Sequence, residues 1–178
     1  MRRFIIPVII GSMLISVAAC NKTESTEGTT AAAVQSEASQ QIPNPWSDYA
    51  DLKEANAAAG TAFVLPDEYK TTSTVYRAMS GDMLEIRTKA GEYDVCFRTR
   101  NGNSNEDISG DVNSYSKNAE LKCMDIFVRT KSNAESEVVI AYWNDGNADY
   151  SISFSSPVPF DFAQEVFTSI IEANTYAY

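Results

Sequence analysis

The chain has no histidine among its 178 residues. That absence removes Ser-His-Asp, Cys-His and His-metal chemistry together. Basic residues are also scarce: 14 Lys and Arg face 24 Asp and Glu, a formal charge of −10. So acidic a balance argues against nucleic acid, which selects a basic face. What is present is apolar material, 44% of the chain with 11% aromatic, enough for one core. The length fits one domain rather than two.

The N-terminus reads as an address. Arg2 and Arg3 precede an apolar stretch from Phe4 to Val17, broken only by Pro7, Gly11, Ser12 and Ser16. Small residues then lead to a cysteine, Val17-Ala18-Ala19-Cys20. The stretch is short for a transmembrane span, which needs about 20 apolar residues. Its form is that of an export signal, and its end looks like a lipobox, where the thiol takes a lipid and the chain is cut just before it. Residues 1–19 are therefore expected to be a lipoprotein signal peptide. Cys20 is expected to carry acyl chains, palmitate among them, and to hold the protein on the extracytoplasmic side of the cell membrane. Asn21 follows rather than Asp, so no inner-membrane retention signal is read. Cleavage removes two arginines and no acid, taking the charge from −10 to −12. Acyl chains rather than a polybasic patch must then supply the membrane affinity, and one chain alone is marginal.

From Asn21 to Gln41 there is no aromatic residue, and Val34 is the only branched aliphatic. Such a segment cannot bury enough to offset its ordering entropy. Residues 20–41 are expected to be the lipidated cysteine and a disordered spacer, about 25 Å end to end.

Residues 42–178 are expected to fold as one α+β domain. Ser47 is placed as the cap of a helix starting at Asp48, with Tyr49, Leu52, Ala55 and Ala59 at helical spacing and Gly60 ending it. Strands are predicted at Ala62–Leu65, Val75–Met79, Leu84–Arg87, Tyr93–Arg98, Leu121–Val128, Val138–Trp143 and Tyr150–Phe154. Gly81, Gly91 and Asn144-Asp145-Gly146-Asn147 mark tight turns. Pro157 and Pro159 are read as ending the last strand. Asp161 and Gln164 then form a capping pair for a helix whose apolar face is Ala163, Val166, Phe167, Ile170 and Ile171. The expected architecture is an antiparallel sheet of about six to seven strands, one face covered by an N-terminal and a C-terminal helix, the other solvated. Cys96 shares the outer face with Asp94 and Arg98. If Cys123 also points outward, beside Asp125, the two meet on adjacent strands in a compartment where disulfides persist. A Cys96–Cys123 bridge is the expectation, adding about 3.5 kcal/mol in the chain-entropy model.

Several segments together carry a resemblance. Asn44-Pro45-Trp46 precedes the helix. Leu65-Pro66, Tyr76-Arg77 and Leu84-Glu85-Ile86-Arg87 follow. Ile108-Ser109-Gly110-Asp111 comes with Tyr115, and Ala141-Tyr142-Trp143-Asn144-Asp145-Gly146 runs on to Tyr150-Ser151-Ile152. This ordered set, from about Pro43 to Ile171, resembles a domain of unknown function in lipoproteins and other extracytoplasmic proteins of Firmicutes, especially gut clostridia. The resemblance implies location and fold rather than an activity. Related domains in anti-sigma-like sensor proteins imply sensing as one role. The cysteine pair lies outside the family pattern.

No reactive set stands out. Asn101, Asn103, Asn105, Asp107 and Asp111 offer oxygen ligands of the kind Ca²⁺ accepts. The EF-hand pattern fails, since Glu106 stands where Gly is needed and Val112 where the final Glu belongs. A turn fixed by Ser109-Gly110-Asp111 accounts for the loop better, and neither metal nor cofactor is expected. Glycoside cleavage needs only two carboxylates, yet no pair has a telling spacing. No S-x-x-K with supporting motifs is found either. Tyr76, Tyr115, Trp143, Tyr176 and Tyr178 are candidates for ligand contact off the core face, against packing of Trp143 under the loops and fraying of the tail. The expected function is a non-catalytic binding or interaction module for an envelope component, protein or small ligand. The alternatives are a His-free envelope hydrolase using carboxylates, and a structural or sensory envelope module.

The signal tests directly. In a bacterial host, the chain should incorporate labelled palmitate, and its mature N-terminal peptide should begin at Cys20 by mass spectrometry. Cys20→Ser should lose the label.

Overall fold

A computed structural model describes residues 44–175. The signal, Cys20 and the whole of the spacer, like Tyr176 and Tyr178, lie outside the described residues. The rest is one eight-stranded antiparallel sheet with two α-helices. In chain order its elements are β1 (Ser47–Tyr49), α1 (Leu52–Ala59), β2 (Val75–Met79), β3 (Met83–Ala90), β4 (Tyr93–Asn101), β5 (Lys117–Cys123), β6 (Ile126–Ser132), β7 (Glu137–Asn144), β8 (Ala148–Pro159) and α2 (Phe160–Thr175). A single 3-10 turn spans Asp67–Tyr69. Across the sheet the order is β1-β2-β3-β4-β8-β7-β6-β5. The last hairpin, β7–β8, is thus inserted beside β4 in the middle. Among the described residues no helix is long and apolar enough to cross a membrane.

Period-2 alternation sets the register. Opposed residues share a face, and the pairs Leu84–Thr99, Ile86–Phe97, Phe97–Ile152, Tyr150–Trp143 and Leu121–Val128 all lie on one side. All of these but Thr99, which is buried beside them, and Leu121, which packs on the rim, belong to one buried apolar cluster with Ala55 and Ala59 of α1 and the five predicted apolar residues of α2. Helix α1 contacts β1, β2 and β3, and α2 contacts β7 and β8. Trp143 belongs to this core, stacked on Tyr150 at 5.4 Å. It is not a ligand-facing aromatic.

Four expectations are corrected. Ser47 caps no helix: Ser47–Tyr49 pair with Tyr76–Ala78 as an edge strand. Asp51 caps α1 instead, accepting a hydrogen bond from the Glu54 amide at 2.9 Å, and Gly60 ends the helix at φ 75°. Ala62–Leu65 has no strand partner, although Phe63 and Leu65 are buried. Two asparagine side chains serve its backbone. Asn56 of α1 accepts from the Phe63 amide and donates to its carbonyl, and Asn174 of α2 does the same for Val64. Leu121–Val128 is not one strand but a hairpin. Cys123 pairs with Ile126 around Met124-Asp125, with Met124 at φ 57°. Asp125 is the one turn-favouring residue in that run, and no Gly or Asn marks the positive φ. Lastly, β8 runs through Pro157 to Pro159. A register shift between Val138 and Ile140 lets Ser155, Ser156 and Pro157 bulge outward, where proline's missing donor is harmless.

The disulfide is also corrected. Cys96 lies in β4 and Cys123 in β5, with β8, β7 and β6 between them. They face opposite sides: Cys96 pairs with Arg87 and Ser153, whereas Cys123 is buried in the apolar cluster with its Sγ 3.4 Å from Thr168 Oγ1. Both are free thiols. The full-length Cys20→Ala protein should therefore titrate two thiols per chain in denaturant without reductant, and its melting temperature should not respond to dithiothreitol.

Candidate charged face and cleft

The second face of the sheet is polar but not solvated. One row of opposed residues crosses all eight strands: Asp48, Arg77, Glu85, Arg98, Ser151, Tyr142, Arg129 and Glu120. Signs alternate at both ends of the row, so each ionic neighbour is attractive. Third in this row, Glu85 is fully buried. Its Oε2 accepts from Arg98 Nε at 2.9 Å and Nη2 at 2.6 Å, a two-pronged contact. Its Oε1 accepts from Arg87 Nε at 2.8 Å and Arg77 Nη1 at 3.1 Å. Burial alone raises the Glu85 carboxyl. The hydrogen bonds and charge of Arg98, followed by Arg87, overcome that and hold it below its ordinary value. Trp46 covers this end, with the Arg77 and Arg98 guanidinium groups 5.6 and 5.4 Å from its ring centroid.

Asp149 is the second fully buried carboxylate of this face. It organises the segment 102–116. Ser104 Oγ and the Asn105 amide donate to it from the loop, and Asn144 Nδ2 and Arg100 Nε from the strands. Burial raises its carboxyl too, but the bonds from Ser104, Asn144 and Asn105 bring it below the usual aspartate range. Further ties pin the loop to the sheet. Arg100 meets Glu106 at 2.9 Å, Lys131 meets Asp107 at 2.6 Å, and Arg98 Nη1 donates to the Ile108 carbonyl at 3.2 Å. Ile108 and Ser109 are buried beneath it. Gly110 is required here: at φ 73° a Cβ would come within 2.1 Å of Arg98 Nη1. The expected solvated face is thus corrected. The loop was legible as polar, but not that buried carboxylates would draw it down.

The five oxygen-ligand residues do not form a cation site. Asn101 donates to the Gly60 carbonyl, Asn105 gives its amide to Asp149, and Asp107 pairs with Lys131. Asp111 accepts from the Asn113 amide and from Tyr115 Oη at 2.6 Å. Asn103 is exposed. Among the described residues no group of three or more Cys, Asp or Glu could hold a metal ion.

Where the loop leaves the sheet, an open cleft of about 710 Å³ remains. Its floor is Arg87, Cys96 and Ser153, its far wall Phe154 and Ser155, and its near wall Ser109 to Asn113. Burial, then the charge of Glu85, pushes the Cys96 thiol up to about 11. It stays protonated at neutral pH and is no nucleophile. The cleft's two carboxylates are engaged: Asp94 with Lys89 at 2.7 Å, Asp111 with Tyr115. That hydrogen bond lowers Asp111. Burial, and then Asp111, push the Tyr115 phenol up to about 12. No acid-base pair or activated nucleophile converges here. What the cleft offers is a polar floor and a half-exposed guanidinium at Arg87.

Compared with protein-family models, curated proteins and solved structures, the chain matches none.

The buried carboxylates set an acid limit. Glu85 and Asp149 are depressed in the folded state, so their stabilisation is present above their unfolded values and is lost as pH falls through the folded ones. Melting temperature should hold down to pH 4.5, the ordinary glutamate value, and drop below it. Glu85→Ala leaves three guanidinium groups facing an uncompensated site. It should cost about 3–5 kcal/mol in urea unfolding at pH 7, with a shallower acid limb than the parent.

Proposed function

We propose that the chain is an extracytoplasmic lipoprotein, tethered through lipid on Cys20, whose domain binds an envelope ligand without transforming it. The observation that carries this reading is the cleft between the β3-β4-β8 face and the loop from Ser109 to Asn113. Preformed concave sites with a few placed polar groups are where ligands bind, and this one has its titratable groups already committed to protein partners. In the same reading both helices cover the apolar face, and the charged face with its loop turns toward the ligand. Membership of the clostridial lipoprotein domain family is part of the proposal and rests on the segments quoted above. The carboxylate-hydrolase alternative gains no support, because Asp94 and Asp111 are each held by a neighbour rather than poised over the cleft.

The test uses the full-length Cys20→Ala protein in thermal melts against cell-wall fragments, glycans, acyl lipids and divalent metals. A ligand at about 100 times its dissociation constant adds about 2.7 kcal/mol, roughly 3–6 °C for a domain of this size. One class should give that shift and be recovered unchanged. Ser155→Trp, on the exposed cleft wall, should abolish the shift while leaving the unliganded melt in place. A shift that survives Ser155→Trp, or turnover of the ligand, would refute the proposal.

A further inference from the structure

Independently of the cleft, the far edge of the sheet is complementary to itself. Strand β5 is last in the sheet order, and among the described residues nothing pairs with its outer edge. All of it from Lys117 to Glu120 is exposed, as is Lys122. Unpaired edges are hazards that proteins commonly blunt with lysine. Here the lysines alternate with an acid, and that alternation selects a partner.

Asn118, Glu120 and Lys122 point to the charged face, opposite Lys131, Arg129 and Phe127; Lys117, Ala119, Leu121 and Cys123 point to the other. Two copies related by a two-fold axis normal to the sheet keep both faces aligned only where the axis passes through a residue. Centred on Glu120, the pairing sets Glu120 against Glu120. Centred on Lys122, it sets lysine against lysine. Centred on Leu121, it sets Glu120 against Lys122 twice, Leu121 against Leu121, and Ala119 against Cys123 twice. Only this last register brings opposite charges together on the outer face and apolar side chains together on the inner one. It also extends the existing charge row, since Arg129 already holds Glu120 at 2.9 Å. Lys122, whose present partner Asp125 is almost wholly exposed, is available to re-pair. The exposed Phe127 and Met124 flank the same edge.

We propose that two copies of this chain pair antiparallel through β5, centred on Leu121, into a continuous sixteen-stranded sheet. The occupant of the edge is the same segment of a second copy, chosen by charge complementarity. Membrane tethering would concentrate the copies, but the pairing does not depend on it.

The experiment uses the full-length Cys20→Ala protein. Sedimentation over a range of concentrations should show reversible dimers. Glu120→Lys should weaken them about tenfold, and the double swap Glu120→Lys with Lys122→Glu should recover most of that loss, as reciprocal pairs require. A second readout does not depend on charge. Leu121→Cys, on the two-fold axis, should crosslink under mild oxidation to its counterpart in the other copy, whereas Asn118→Cys, which faces Met124, should not. A protein that stays monomeric at every concentration overturns the proposal. So do dimers indifferent to Glu120→Lys, and equal crosslinking by the two cysteine variants, because each places the contact elsewhere.

Discussion

Two carboxylates buried on the wrong side of the sheet, Glu85 and Asp149, constrain everything else on that side. An ionised carboxylate in a low-dielectric site is sustained only by close, geometrically sound partners. Glu85 therefore gathers three guanidinium groups, from β2, β3 and β4. Asp149 gathers a guanidinium, a hydroxyl, an amide side chain and a backbone amide. Two of those donors come from the loop after β4. That long segment is a second cover on the sheet because Asp149 needs it there. Gly110 and Trp46 complete the cover, one by leaving room for Arg98 and the other by stacking on it.

The sheet consequently has two interiors of different chemistry. One is apolar, where Phe97, Trp143 and Phe167 supply the burial. The other is ionic and closed by a loop. Met83, Ile108 and Ile140 are buried outside the main cluster, the small apolar content of this second interior. The buried Ser151 Oγ, in the middle of the charge row, has no hydrogen-bond partner among the described residues. Such an orphan costs about 1–3 kcal/mol, offset by the ion pairs beside it. The cleft lies where this ionic interior opens to solvent, which is why its floor is a guanidinium and a thiol rather than leucines.

Much of this was legible in the chain. The apolar face of helix α2 was readable, because five apolar side chains at 3.6-residue spacing have only one way to be buried together; its start was not, since the helix begins at Phe160 and takes in the Asp161 expected to cap it. Strands β3, β4, β7 and β8 were readable from alternation and glycine turns. The misreadings have physical causes. Ser47-Asp48-Tyr49 has cap chemistry, but Asp48 finds Arg77 across a strand and the extended form wins. Met124-Asp125 turns the chain with Met124 at positive φ, where a Gly or Asn would have advertised the turn. The bulge at Ser155 to Pro157 exempts a proline from the rule that should have ended β8.

The sequence by itself determined the α+β class, the antiparallel character of the sheet and its apolar face, since each follows from local composition or from a period along the chain. Only tertiary structure decided which strands are neighbours. The insertion of β7–β8 beside β4 puts Asp149 next to Arg100, and Ser153 beside Cys96. It also sends Cys123 to the far edge, out of reach of Cys96. The cleft, the ionic interior and the free edge of β5 all follow from that strand order. No residue pattern along one strand encodes the identity of its neighbour, because a half-buried strand can pair with any other of matching alternation until the side chains of both faces are packed at once.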